Sequence, residues 1–172
     1  MKQYEIEGCQ ILLPDAHKLD IYQREHRLYD RFIPFLAAAM QGEGTIIDIG
    51  ANVGDTACAI LKNCTNGLIC IEGVDEFFDL MQENIQKNFP DQMNRILMKK
   101  AMIGTGRFSV SLMPYDGSAR LKESKETTAE FRALDDILFG KEIALIKTDT
   151  DGFDFDVLES GLDLIKLNQP VL

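Results

Sequence analysis

The stretch TIIDIGANVGDT, at residues 45–56, decides the fold of this 172-residue chain. Thr45 to Ile49 form a short run rich in β-branched residues and closed by Gly50, which is typical of a strand buried on both faces of a parallel sheet. From Val53 to Leu61 the apolar residues recur at helical spacing. The stretch therefore predicts a strand, a tight turn and a helix in immediate succession.

The same alternation continues on the C-terminal side of this stretch. A second strand is predicted at Leu68–Ile71, and Asp75 is predicted to cap a helix that turns Phe78, Met81 and Ile85 toward the core. Later strands are predicted around Ile96–Met102, Phe108–Met113 and Ile143–Ile146, with a short helix containing Leu134, Ile137 and Leu138 before the last of them. Strands that alternate with helices in this way predict an α/β fold, an open and mostly parallel sheet with helices on both faces.

The N-terminal side carries a different pattern. Residues 1–27 are predicted to form an arm or hairpin, because strand-like alternation runs from Tyr4 to Pro14 around Gly8. A helix is predicted from Leu28, with Pro34 in its first turn, because the apolar residues Phe32, Phe35, Leu36 and Ala39 recur at helical spacing. We interpret the chain as a single domain in which residues 28–172 form a cofactor-binding core.

Composition restricts the partners. Eighteen Lys and Arg residues against twenty-eight Asp and Glu residues give a formal charge of −10, which disfavours nucleic acid as a partner. Neither a membrane span nor a signal peptide is apparent, so we expect a cytoplasmic protein without membrane attachment. The four cysteines lack the paired spacing of a zinc site, so no metal is expected, and His17 and His26 are interpreted as surface residues.

Chemistry is expected where the predicted strands end, because ligands of open parallel sheets bind at the carboxyl ends of the strands. Gly50 and Gly54 would let a ligand approach bare backbone, and Glu72 lies at a distance typical of an acid that binds ribose hydroxyls. Asn52 and Asp55 stand where a pyrophosphate-binding turn needs bare glycine and free amides, which argues against a dinucleotide. S-adenosylmethionine carries no phosphate, and its positive charges suit a pocket that includes Asp48.

The motif that begins at Ile47-Asp48-Ile49-Gly50 resembles the first motif of the FkbM family of S-adenosylmethionine-dependent O-methyltransferases. Leu134-Asp135-Asp136-Ile137 and the run from Ile146 to Gly152 are similar to further segments of that family, as are Gly161 and the final Gln169-Pro170-Val171-Leu172. The resemblance implies a class I, Rossmann-like methyltransferase fold, and it implies that the last strands of the family's sheet are absent from this chain. Where the family usually has Glu, this chain has Asp151 and Asp154.

The resemblance also implies roles for individual residues. The cofactor S-adenosylmethionine would be held by Asp48, Gly50, Ala51, Asn52, Gly54 and Glu72, and Ala101 would lie near its adenine. Asp149 would face the transferred methyl group and take or orient the acceptor's hydroxyl proton, with Lys147 steadying that carboxylate or the substrate.

The function expected from this resemblance is O-methylation of a hydroxyl on a small molecule, a sugar or a polyketide. Two alternatives stay open: a catalytically silent protein of the same fold that binds the cofactor or a partner, and an oxidoreductase that uses a dinucleotide. An exposed sheet edge is normally covered or paired, so we expect either that a full-length form has more chain or that two copies form a homodimer through that edge.

Overall fold

The computed structural model describes residues 1–26, 28–106, 110–115, 118–123 and 130–172. Four parallel strands form its central sheet: β3 (Thr45–Ile49), β4 (Leu68–Glu72), β5 (Ile96–Lys100) and β10 (Ile143–Thr148), in the order β10-β3-β4-β5. Asp48 stands in register between Lys147 of β10 and Cys70 of β4, so the strands end at one common edge. The predicted parallel α/β architecture is confirmed.

Helices cover both faces of this sheet, because alternate residues of its buried strands point to opposite sides. One core contains Ile46 and Leu145 and packs against α3 (Asp55–Asn63) and α4 (Asp75–Asn88). The other core contains Ile47 and Ile146 and packs against three short helices. These are α5 (Leu134–Leu138), α6 (Asp154–Glu159) and α7 (Leu162–Asn168).

The N-terminal residues form the predicted hairpin, made of β1 (Lys2–Ile6) and β2 (Cys9–Leu13) in antiparallel pairing. Ile11 and Leu13 are fully buried and belong to the same core as α3 and α4. The hairpin is therefore an integral part of the hydrophobic core. The helix α1 (Leu19–Glu25), which the sequence pattern did not predict, follows it.

Two asparagines of α4 hold the free edge of the hairpin. The side chain of Asn84 accepts the Leu12 N–H at 2.7 Å and donates to the Leu12 carbonyl at 3.1 Å. Asn88, one helical turn later, pairs with both backbone groups of Gln10 at 2.9 Å. Asn84 also donates to the Val53 carbonyl at 2.8 Å. The helix thus satisfies the strand edge as a neighbouring strand would, and ties it to the turn after β3.

Two helices differ from the sequence prediction in detail. The helix α2 (Ile33–Ala39) begins five residues later than predicted, and it buries Ile33, Pro34 and Ala37, while Phe32 and Phe35 are 63% and 71% exposed. In α4, Met81 and Ile85 are buried as predicted, and Phe78 is partly buried against the same core. Asp75 lies in the first turn of α4 without capping it by a side-chain hydrogen bond, so its predicted capping role is wrong.

The remaining elements lie between β5 and β10. The 3-10 helix Pro90–Arg95 leads into β5, and β6 (Met102–Ile103) pairs in parallel with β9 (Phe131–Arg132). β7 (Val110–Tyr115) and β8 (Ser118–Glu123) form an antiparallel hairpin. The predicted strand at Phe108–Met113 corresponds to β7, although Phe108 and Ser109 lie outside the described residues. On the outer side of β10, Val171 forms a single parallel bridge with Leu145.

Candidate cofactor site

A cleft opens where β3, β4 and β10 end. It encloses about 600 Å³ when the solvent space at its open mouth is included. Its lining combines polar groups from the strand ends with apolar walls from α4, β6 and β9. The residues concerned include Gly50, Asn52, Glu72, Ala101, Asp149, Asp151, Phe77, Ile103, Phe131 and Phe153.

Gly50 turns the chain at the end of β3, where its φ of +71° suits glycine. A Cβ atom at this position would lie 2.0 Å from the carbonyl oxygen of Asp149. The close approach made possible by Gly50 is therefore to the backbone after β10, whereas the sequence interpretation expected an approach to a ligand. Gly54, whose Cβ would meet Met81 Cγ at 3.0 Å, packs in the same way against α4.

The backbone amides of the turn between Gly50 and Gly54 are taken up within the protein. The Gly50 and Ala51 amides donate to the Ile71 carbonyl at 2.9 and 3.1 Å, and the Gly54 amide donates to the Ala51 carbonyl at 2.8 Å. The amides of the two residues between them donate to side chains, Asn52 to Glu72 and Val53 to Asn52. A pyrophosphate group would need these donors, so the turn has little to offer a dinucleotide.

Glu72 ends β4 with its carboxylate in the cleft. Oε2 accepts the Asn52 N–H at 2.9 Å, and Oε1 accepts the Val74 N–H at 2.8 Å. Burial raises the pKa of Glu72, while these backbone hydrogen bonds oppose the rise. Each carboxylate oxygen has a second lone pair, so a carboxylate fixed in this way can still accept hydroxyl donors from a ligand.

Asn52 adopts a left-handed backbone conformation, with φ of 48°. Such a conformation is uncommon outside glycine but is tolerated by Asn. The Asn52 side chain receives a hydrogen bond from Val53 N–H and contacts the ring of His17, with Oδ1 and Nε2 3.0 Å apart. The prediction that His17 lies at the surface is wrong, because the residue is 7% exposed and contacts Asn52, which lines the cleft.

Asp149 follows β10 and lines the same cleft as Glu72. Its side chain reaches solvent at the mouth. Partial desolvation raises the pKa of Asp149, Lys147 opposes the rise, and the neighbouring Asp151 and Asp154 add to it. A carboxylate with a raised pKa is a better proton acceptor than a free one, which suits a general base.

The other acids after β10 differ in their roles. Asp154 Oδ1 accepts hydrogen bonds from the Thr148 hydroxyl, the Thr150 amide and the Thr150 hydroxyl, each at 2.9 Å. Although burial opposes it, these bonds lower the pKa of Asp154, as expected for a carboxylate that organises a loop. Asp151 has a positive φ of 51° and is exposed at the mouth of the cleft.

Asp48 and Lys147 lie on the other side of the strand ends, outside the lining of the cleft. Asp48 is fully buried, and its Oδ1 forms an ion pair with Lys147 Nζ at 2.9 Å. Burial alone would lower the pKa of Lys147, but the carboxylates of Asp48 and Asp149 outweigh it and raise the pKa. Lys147 also donates to the Gly50 carbonyl at 3.3 Å, so the ion pair stabilises the turn after β3 from outside the cleft.

The sequence-predicted site residues therefore fall into two groups. Gly50, Asn52, Glu72, Ala101 and Asp149 line one cleft, whereas Asp48, Ala51, Gly54 and Lys147 support it from outside. Ala101 donates its amide to the Glu72 carbonyl at 3.1 Å, which brings the first turn after β5 against the end of β4. The residues whose place in the site the sequence did not indicate are His17 and the aromatic residues of the apolar wall, Phe131 and Phe153.

The described part of the chain contains neither a metal-binding cluster nor a membrane-spanning helix. None of its His, Cys, Asp and Glu residues form a cluster able to hold a metal ion, and its four cysteines are buried free thiols. No helix within the described ranges has the length and apolar character needed to cross a membrane.

The chain is similar in sequence to a known protein family. The sequence model of the methyltransferase FkbM domain matches residues 48–172. No curated protein matches the chain significantly in sequence.

Among solved structures, the methyltransferase FkbM of Methylobacillus flagellatus KT superimposes with a TM-score of 0.54 and 18% identity, over 74% of this chain and 31% of its own. TYW2 of M. jannaschii, solved in complex with AdoMet, gives a TM-score of 0.47 and 17% identity, over 58% of this chain and 42% of its own. At such identities a likeness establishes the fold alone. The chain spans about a third of the length of the M. flagellatus protein.

Proposed function

Because this chain belongs to the FkbM family of methyltransferases, we propose that it binds S-adenosylmethionine and transfers the methyl group to a hydroxyl. One observation carries the proposal. At the same edge of the sheet, the Glu72 carboxylate is held in place by two backbone amides, and the amides of the turn from Gly50 to Gly54 are already hydrogen-bonded within the protein. A cofactor with a ribose and no phosphate fits this combination.

The residues present fit that cofactor. Glu72 would bind the ribose hydroxyls through the free lone pairs of its oxygens. The apolar wall of Phe77, Ile103 and Phe131 would cover the adenine. When bound, S-adenosylmethionine supplies an electrophilic methyl group on a sulfonium.

The chain's own contribution to the chemistry is to orient the acceptor and to receive its proton. Asp149 lies at the mouth of the cleft, within reach of an acceptor that enters from solvent, and its raised pKa favours removal of a hydroxyl proton. Asp149 and Asp151 make the mouth acidic, and the whole chain carries a formal charge of −10. These charges favour an uncharged acceptor, such as a sugar or small-molecule hydroxyl, over a phosphate-bearing one or nucleic acid.

The cofactor is tested by calorimetric titration with S-adenosylhomocysteine. We expect Glu72→Ala to weaken binding by about 10- to 100-fold, the usual effect of losing hydrogen bonds to a charged group. Asp163→Asn is the matched control, since Asp163 is 91% exposed and lies on α7. A folded wild-type chain that binds NAD and not S-adenosylhomocysteine would overturn the proposal.

The transfer is tested with S-adenosylmethionine and a panel of neutral alcohols, polyols and phenols. We expect Asp149→Asn to lower kcat by about 10²- to 10⁴-fold while leaving the affinity for S-adenosylhomocysteine nearly unchanged. Binding without transfer to any acceptor would instead favour a catalytically silent member of the family.

A further inference from the structure

His17 lies in the segment between β2 and α1, yet it is packed inside the protein. It is 7% exposed, and its ring meets Phe77 edge-on, with the centroids 6.0 Å apart and an interplanar angle of 76°. Phe77 in turn lines the cofactor cleft. His17 therefore stands directly behind one wall of the site, although 35 residues separate it from Asn52.

The hydrogen bonds around His17 determine which nitrogen carries its proton. Leu19 N–H donates to Nδ1 at 3.2 Å, so Nδ1 must present a lone pair. On the other side, the oxygen of the Asn52 side chain is the atom that faces Val53, because a backbone N–H can only donate. The Nε2 nitrogen, 3.0 Å from that oxygen, must then hold the proton and donate it.

Asn52 connects this histidine to the cleft. Its side chain is fixed by His17 and Val53, its backbone adopts the left-handed conformation, and its amide donates to Glu72 Oε2 at 2.9 Å. A side chain that can rotate would let the backbone of this turn relax away from Glu72. The three residues form one chain of directed hydrogen bonds, which ends at the carboxylate proposed to bind the ribose.

We propose that His17 is a positioning residue for the cofactor site, which acts through Asn52 to hold the Asn52 amide and the Glu72 carboxylate in their binding geometry. The inference rests on the proposed function in that the ligand at Glu72 is taken to be the ribose of S-adenosylmethionine. It gives the N-terminal hairpin a role in cofactor binding, since β2 and the residues that follow it place His17.

A purely structural role is the competing explanation, because His17 also accepts the Leu19 amide and fills space against Phe77. Two variants separate the roles. His17→Asn places an acceptor oxygen where Nδ1 stands but is too short to reach Asn52. His17→Gln places a donor amide near the position of Nε2 and gives up the acceptor for Leu19.

The experiment is calorimetric titration of the full chain with S-adenosylhomocysteine, carried out for both variants and for His17→Asn combined with Asn52→Gly. Glycine adopts the positive φ of position 52 without strain, so this substitution removes the side chain that bonds to His17 and keeps the backbone turn. We expect His17→Asn to weaken binding about five- to tenfold and His17→Gln to stay within about twofold of wild type. In the Asn52→Gly background, His17→Asn should have little further effect.

Equal losses in the two variants, or an undiminished effect of His17→Asn in the Asn52→Gly background, would overturn the proposal. Hydrogen exchange of the Asn52 amide in the ligand-free chain is the second measurement. We expect faster exchange in His17→Asn and wild-type exchange in His17→Gln. If wild type fails to bind S-adenosylhomocysteine, the proposed function fails, and the exchange rates alone still decide whether His17 positions the turn.

Discussion

Gly50 follows β3 at a point where the backbone lies close to the residue after β10. Its φ is +71°, and the Asp149 carbonyl oxygen would lie 2.0 Å from a Cβ atom. Gly140 has the same φ, with nothing within 4 Å of a Cβ, and provides a matched control.

We expect Gly140→Ala to cost about 1–2 kcal/mol, the strain of a left-handed alanine. Gly50→Ala should cost more than about 3 kcal/mol and abolish cofactor binding, because strand ends must also move apart. Urea denaturation of both variants measures the difference, and equal losses would mean that the contact with Asp149 is easily relieved.

Asp48 and Lys147 are a buried ion pair, and the pair is sensitive to the loss of one partner. Lys147→Met leaves a fully buried carboxylate without its cation and is expected to cost about 3–5 kcal/mol. The double variant Asp48→Leu/Lys147→Met should recover most of this loss, since apolar side chains can replace a buried pair. Chemical denaturation of the single and double variants tests this expectation, and an additive loss would contradict it.

The element that holds the N-terminal hairpin is α4. Asn84 is fully buried and makes three hydrogen bonds to backbone groups of Leu12 and Val53, whereas Asn88, one helical turn later, makes its bonds to Gln10 at an exposed position. We expect Asn84→Ala to destabilise the chain by about 2–4 kcal/mol, because buried partners lose their bonds, and Asn88→Ala by about 1 kcal/mol or less.

Thermal unfolding and hydrogen exchange of β2 measure both asparagine variants. If Asn84→Ala and Asn88→Ala lower the free energy of unfolding equally, burial does not determine how much each asparagine stabilises the hairpin. Loss of the contact to Val53 should also loosen the turn after β3, so the affinity for S-adenosylhomocysteine is expected to fall in Asn84→Ala alone.

Elements with one dominant pattern were predictable from sequence. β3, β4 and β10 are continuous apolar strands, and the turn residues that follow them meet at one edge because the strands are parallel. The same strands are buried on both faces, so their pattern could not show that Asp48 points away from the cleft. His17 was missed for another reason: its burial depends on Phe77 and Asn52, contacts that no local pattern encodes.

The molecule as a whole contains several carboxyls whose native pKa is raised. Burial raises the pKa of Asp55 to about 6 from 3.8, with Lys147 opposing, and the pKa values of Asp30, Glu72 and Asp149 are raised as well. Between pH 4 and 6 native Asp55 binds a proton that the unfolded chain has released, so its contribution to stability falls as pH rises through this window. Above pH 6 Asp55 is charged in the native protein, and the full destabilisation caused by burying its charge is present.

Asp55→Asn removes the cost of burying the charged Asp55 carboxylate. We expect the variant to gain up to about 3 kcal/mol over wild type at pH 8, with the gain shrinking toward zero near pH 4. Burial is the main cause that lowers the pKa of His17, so this residue makes stability rise with pH. Its contribution is the same in wild type and variant and therefore cancels in the difference between their free energies of unfolding. Urea denaturation at pH 4.5, 6 and 8 provides the measurement, and a gain independent of pH would contradict the raised pKa.

One side of the molecule exposes apolar surface beside β10. Phe32, Leu172 and Val171 are 63%, 62% and 37% exposed there. Val171 covers part of the outer edge of β10, and a strand edge flanked by exposed apolar residues favours pairing with another chain, so we expect the 172-residue chain to self-associate as its concentration rises.

Light scattering at increasing concentration checks for this association. Phe32→Glu should weaken the association. Phe139→Glu should not, because Phe139, although 90% exposed, lines a different groove, beside α5 and α7. A monomer at all concentrations would rule out the homodimer expected from the sheet edge.

The sheet order has a consequence for how the chain is made. β3 pairs on one side with β4, which follows it closely, and on the other with β10, whose Lys147 is 97 residues from Gly50. At a synthesis rate of about 5–20 residues per second, β3 emerges from the ribosome roughly 5–20 s before its second neighbour exists. During that interval its β10-facing edge is bare, so a nascent chain stalled before residue 143 is the species in which chaperone dependence should be greatest.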